Sequence, residues 1–157
     1  MAQLATGNRD EAFDIVQDAM FALARRYGDR APAEWGPLFQ RILQSRIRDG
    51  YRRTRVRNRW RVWFSSEDEH DDPLAAQPDP DARRPEDLLG NERAGTALEA
   101  ALRALPLRQQ QAFLLRSWEG LDVSATAAAM GCSQGSVKTH YSRAVHRLRE
   151  LLEDHWP

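Results

Sequence analysis

Residues 65–85, SSEDEHDDPLAAQPDPDARRP, carry four prolines, a dense run of carboxylates and no periodic apolar face. Proline cannot donate a backbone hydrogen bond, and clustered like charges do not bury, so such a stretch neither continues a helix nor joins a core. It reads as a flexible linker. It splits the chain into residues 1–64 and 91–157, with a linker over 65–90. Each flanking segment lies near the lower size at which a lone hydrophobic core is adequate. Neither shows the period-two alternation of a strand, and both show helical spacing. The expected fold is therefore all-α, two small helical domains joined by an acidic, proline-rich linker.

The net charge of zero averages segments of opposite sign. Residues 1–64 hold 13 arginines against 7 acids, and residues 65–92 hold 10 acids against 2 arginines. No run of 18 apolar residues occurs, so neither a membrane helix nor a membrane partner is expected. The start MAQLATGNRDEAFD does not read as a secretory leader. The single cysteine, Cys132, has no metal-ligand spacing around it. Together these place the chain in the cytoplasm.

In the first segment Asn8 and Glu11 have the spacing of a capping box, and Phe13, Val16, Met20 and Leu23 follow as a helical stripe ending near Gly28-Asp29. A second helix is expected from about Trp35, with Pro37 tolerated in its first turn. Phe39, Leu43, Ile47 and Tyr51 share one face, Tyr51 as packing, and Arg41, Arg48 and Arg52 share the opposite one. Gly50 marks a place where that helix could bend or end. Met1, Leu4 and Ala5 form an apolar helical face ahead of Thr6-Gly7-Asn8, which reads as a glycine-capped helix end. Residues 1–6 are accordingly expected to be the last part of a helix whose body lies upstream.

In the second segment, helices are expected around 92–104, 107–118, 122–130 and 134–153. VSATAAAMGCSQGSVKTHYSRAVHRL has the requirements of a helix-turn-helix. Ala127 is small enough for a close helix crossing, Gly131 suits a turn with positive φ, and Val137 points back at the first helix. Met130 and Cys132 flank the turn, and Ser133 is a candidate N-cap. On the following helix Val137, Tyr141, Ala144, Val145, Leu148, Leu151 and Leu152 fall on one side. Lys138, Thr139, Ser142, His146 and Arg149 fall on the other, with Arg143 at its edge. Long donors on such a helix suit the major groove.

These residues resemble the extracytoplasmic-function group of sigma-70 transcription initiation factors. Leu105-Pro106, Glu119-Gly120, Ala127, Gly131-Cys132, Gly135-Ser136-Val137-Lys138-Thr139 and Arg143-Ala144 follow the order of the family's region 4. Asp14-Ile15-Val16-Gln17-Asp18 and the arginine-rich stretch through Arg41, Asp49, Tyr51, Arg52 and Arg53 resemble its region 2. Thr126 departs from the pattern, standing where the family usually has an aliphatic residue, and Ser124-Ala125 stand where it often has acids. The resemblance implies that Lys138, Thr139, Ser142 and Arg143 read a −35 element. It implies that Trp35, Arg41, Arg48, Arg52 and Arg53 engage a −10 element, and that Asp14, Gln17 and Asp18 dock on the β′ clamp helices of core RNA polymerase. Promoter DNA, the polymerase β flap and an anti-sigma factor are the further partners it implies.

Glu67, Asp68, Glu69, His70, Asp71 and Asp72 lack the rigid frame a metal or nuclease site needs. No nucleophile pair, phosphate loop or paired acids occur, so neither an enzyme nor a cofactor is expected. A stand-alone helix-turn-helix regulator and a helical protein-binding module are the competing readings.

Overall fold

The structure, a computed structural model, describes residues 1–63 and 90–153, with side chains at 1–56 and 95–153. The linker expected over 65–90, the acid cluster within it, and the side chains of Trp60, Trp63 and Phe64 lie outside the described residues, except that Gly90 already begins a helix. The first half holds α1 (Ala2–Thr6), α2 (Arg9–Tyr27) and α3 (Pro32–Trp63). The second holds α4 (Gly90–Arg103), α5 (Leu107–Phe113), a π-turn at Leu114–Trp118, α6 (Val123–Met130) and α7 (Gln134–Leu151). No strand occurs among the described residues.

Gly7 ends α1 in the left-handed region at φ 69°, where glycine avoids the Cβ penalty. Asn8 Oδ1 then accepts the Asp10 and Glu11 amides at 2.9 and 3.0 Å, satisfying two orphan donors of α2. The reciprocal half of a capping box is supplied differently: the Asn8 amide donates to Thr6 Oγ1 at 3.3 Å. The buried face of α2 is not the expected stripe. Ala12, Ala19 and Leu23 are buried and Ile15 and Val16 half-buried, whereas Phe13 and Met20 are 61% and 59% exposed. Alanines let α2 lie close against Leu43 and Ile47 of α3, so the small residues mark the core side and the large ones beside them face outward.

Helix α3 starts three residues before the expected Trp35. Pro32 takes the first helical position, where a missing N–H costs nothing. Trp35 sits in the first turn, its Nε1–H donating to the Arg30 carbonyl at 3.1 Å. The helix runs straight through Gly50. A Cβ there would make only an ordinary contact with Ile15 Cδ1, at 3.4 Å, so α2 lies beside this point and the glycine does not end α3. Leu43 and Ile47 are buried, but Tyr51, expected to pack, is 44% exposed.

Two apolar clusters organise the second half. One joins Leu102 and Leu105 to Leu114, Ala144 and Leu148. The other joins Ala112 and Leu115 to Ala127, Met130 and Val137. The two halves also touch each other: α3 packs along α6, and Met1 contributes to all three apolar clusters among the described residues. The expected helix over 107–118 divides after Phe113. The Glu119 amide bonds the Leu114 carbonyl at 3.0 Å, an i→i+5 closure, and Gly120 at φ 68° follows.

Candidate nucleic-acid interface

Asp122 caps α6, its Oδ1 accepting the Ala125 amide at 2.7 Å. Thr126 is fully buried, and its hydroxyl donates to the Asp122 carbonyl at 2.7 Å. A hydroxyl in an apolar position thus costs little, because its donor is satisfied within the helix. Ala127 and Met130 are buried against α5 and α7. Gly131, at φ 61° and ψ 48°, forms the left-handed turn. The Cys132 amide bonds the Ala127 carbonyl at 3.1 Å and the Gly131 amide the Ala128 carbonyl at 3.4 Å, the two bonds of a Schellman end. Ser133 Oγ then accepts the Ser136 amide at 3.1 Å and opens α7. Every turn position expected from the sequence performs its role.

On α7, Val137, Ala144 and Leu148 are buried, as is Leu152 at its C-cap, and Tyr141 and Val145 are half-buried. Leu151, expected on the same side, is 38% exposed at the end of the helix. Lys138, Thr139, Ser142 and Arg143 are all exposed. None of the four forms an ion pair among the described residues, while Glu150 is engaged by Arg147 at 2.9 Å and His146 at 3.2 Å. The Arg147 hydrogen bond holds the Glu150 carboxyl below its usual range. The positive end of the polar face is therefore uncompensated, as a phosphate- or base-reading surface requires. Thr139 Oγ1 donates to the Gly135 carbonyl at 3.1 Å. Its hydroxyl is left as an acceptor, suited to an amino group on a base edge.

His140, half-buried on α7, lies near Arg108 of α5 and Arg143 of α7. Desolvation chiefly, then Arg108 and Arg143, lower its pKa from the ordinary 6.5. The unfolded state thus binds a proton that the folded state refuses, so this group's contribution is complete above the ordinary value and is lost as pH falls through the lowered one. Thermal melting should show a shallow loss as pH falls below the ordinary 6.5, and His140→Asn should reduce that pH dependence. An unchanged dependence in the variant would remove His140 from this role.

The residues of the first half are less unified. Arg41, Arg48 and Arg52 share one stripe of α3, whereas Trp35 and Arg53 lie about a third of a turn away at 100° per residue. Arg41, Arg52, Arg53 and Trp35 are exposed, and Arg52 approaches Asp49 only at 4.0 Å. Arg48 is half-buried and already engaged: its Nη1 donates to the Met130 carbonyl of the turn at 3.0 Å. Asp14, Gln17 and Asp18 are exposed on α2. Phe13, Met20 and Phe21, the last 66% exposed, stand around Gln17 on the same face.

Several residues that join the two halves gave no signal in the sequence. Arg108 Nη1 donates to the same Met130 carbonyl as Arg48, at 2.8 Å. Gln44, Gln110 and Gln111 are all buried. Gln111 Nε2 donates to Gln44 Oε1 at 2.9 Å and Gln110 Nε2 to the Leu4 carbonyl at 3.4 Å, both across the halves, and Gln110 also donates to the Leu102 carbonyl within the second half at 2.9 Å.

Residues 95–148, from within α4 to within α7, match the family model described as Sigma-70, region 4. The chain is 34% identical to an RNA polymerase sigma-E factor of Streptomyces antibioticus over 91% of its own length and 71% of that protein. It is 32% identical to the ECF RNA polymerase sigma factor EcfG of Rhodopseudomonas palustris, over 94% of this chain and 74% of that one. A solved structure of the sigma factor RpoE in complex with the anti-sigma factor NepR, from Bartonella quintana, superposes with a TM-score of 0.63 at 25% identity. That match covers 99% of this chain and 89% of the other. With helix-turn-helix, overall fold and nearly the whole length in agreement, this chain belongs to the extracytoplasmic-function RNA polymerase sigma factors.

Proposed function

We propose that residues 91–157 act as a region 4 that reads a −35 element with Lys138, Thr139, Ser142 and Arg143. The observation that carries this is the exposed, uncompensated cationic face at the N-terminal half of α7, held by a well-formed helix-turn-helix. Residues 1–64 act as a region 2. Arg41, Arg48, Arg52 and Arg53 track the backbone of a melted −10 strand, and Trp35 offers a ring on which a base can stack. Asp14, Gln17 and Asp18 dock on the β′ clamp helices of core RNA polymerase. The surrounding Phe13, Met20 and Phe21 support this, because apolar rings beside polar groups form the usual core of a protein interface. The β flap of the polymerase is a further partner, and an anti-sigma factor another, the latter supported by the similar RpoE structure being a complex with the anti-sigma factor NepR.

The chain acts through binding alone, with no reaction of its own, and works in the cytoplasm where polymerase is. No helix among the described residues is long and apolar enough to cross a membrane. A gel shift on promoter DNA with and without core polymerase tests the assignment. Binding that needs core is expected. Tight, sequence-specific binding by the chain alone would favour a stand-alone regulator, and no binding either way would favour a protein-binding module.

A further inference from the structure

We propose that His140, with Arg108 and Arg143, forms a phosphate-binding flank of α7, and that its imidazole takes up a proton when a DNA phosphodiester binds there. The assignment rests on the reading of α7 as the −35 surface and extends it from base edges to the backbone.

A helix with its side chains is about 10–12 Å across, and the major groove of B-DNA is about 12 Å wide. Residues in the middle of an inserted face therefore meet base edges, and residues at its flanks meet the phosphate walls. At about 100° per residue, Lys138, Thr139 and Ser142 share the middle and Arg143 marks the edge. His140 lies about 60° beyond Arg143, where the polar face meets the buried one. It is half-buried, whereas Arg143 is exposed.

The other wall of the site comes from α5. Arg108 is half-buried, and its Nη1 donates to the Met130 carbonyl at 2.8 Å, which fixes the guanidinium beside the turn that introduces α7. That bond uses a single donor of a planar fork, and Arg108 makes no other hydrogen bond among the described residues. His140 and Arg143 make no hydrogen bond among them at all. No carboxylate pairs with any of the three among the described residues. Beside Arg108 stand Arg48 of α3, bonded to the same carbonyl at 3.0 Å, and Cys132 of the turn. Two guanidinium groups and an imidazole thus gather with no protein anion to balance them, and a phosphate oxygen supplies one.

The same grouping sets the proton coupling. In the free chain, desolvation chiefly, then Arg108 and Arg143, hold the imidazole pKa below the ordinary 6.5. A phosphodiester against these groups offsets the arginines and favours the protonated ring, which then donates from both nitrogens. The bound state holds a proton that the free state lacks. Affinity therefore rises as pH falls through the window between the free and bound pKa values, by at most about tenfold per unit for a single proton.

Holoenzyme assembled from core polymerase and the full chain is titrated with promoter duplex, from about one unit above the ordinary 6.5 to about one unit below it. Wild type is compared with His140→Asn at each pH, which cancels the titration of polymerase groups. Wild-type affinity should exceed that of His140→Asn by about fivefold at the low end and converge with it at the high end. His140→Arg, whose charge is permanent, should hold the higher affinity at every pH; a merely structural histidine would not be rescued so. A second arm leaves the protein unaltered: a neutral methylphosphonate is placed at each −35 backbone position in turn. Substitution at one position or two adjacent ones should abolish the wild-type pH dependence.

Parallel pH curves for wild type and His140→Asn, or a pH dependence that survives every methylphosphonate, would overturn the proposal. If scrambling the −35 sequence leaves holoenzyme affinity unchanged, the −35 reading fails and the phosphate flank goes with it. Sequence dependence retained alongside parallel curves removes the flank alone.

Discussion

Replacing Lys138 and Arg143 by alanine should each weaken binding to the −35 element by about 1–3 kcal/mol where the side chain contacts a base. The double variant should lose −35-dependent transcription almost completely. Both side chains stand exposed on α7 without a carboxylate partner among the described residues, so nothing internal is broken by their removal and the fold should be unaffected. The same variants separate two modes of contact. A residue on a phosphate weakens all sequences alike and lowers the salt dependence, whereas one on a base edge relaxes discrimination at a single position. Titrations of wild type and variants against consensus and scrambled −35 duplexes, with core polymerase present, make the distinction. Unchanged promoter-specific transcription in both single variants would remove α7 from the reading surface.

Asp14→Arg should reduce core-polymerase binding by tenfold or more while leaving thermal stability near wild type. The carboxylate is exposed in the middle of α2 and takes part in no ion pair among the described residues. Charge reversal within an interface costs several kcal/mol through like-charge juxtaposition, whereas the same change on a solvated helix face costs a few tenths. Phe21→Ala tests the apolar part of the same surface: an exposed ring contributes little to the fold, so loss of polymerase affinity at unchanged stability identifies it as interface. Co-purification of both variants with polymerase at wild-type yield would place the docking surface elsewhere.

The helix-turn-helix was legible in the sequence because its constraints are local. Gly131 must take positive φ, Ser133 must cap the helix that begins beside it, and Ala127 and Val137 must meet within a dozen residues. Local backbone chemistry determines all of these. Of the expected α2 stripe Leu23 is buried and Val16 half-buried, while Phe13 and Met20 are exposed, because close packing on α3 selects the smaller Ala12 and Ala19. Tyr51 continues the Leu43–Ile47 face of α3, yet its ring is 44% exposed, so the spacing alone does not tell where along the helix burial ends. The contact between the halves was not legible at all. Gln44 and Gln111 are 67 residues apart, and Arg48 and Met130 are 82 apart. No periodicity links two polar residues across such a distance, and each alone looks like ordinary helix surface.

Run-off transcription with purified core RNA polymerase tests the central assignment most directly. Core supplemented with this chain should yield a discrete transcript from a template bearing its −35 and −10 elements. Core alone should give none, and neither should core with Lys138→Ala/Arg143→Ala. The absence of any promoter-dependent product across templates drawn from the genome that encodes the chain, despite demonstrated binding to core, would contradict it.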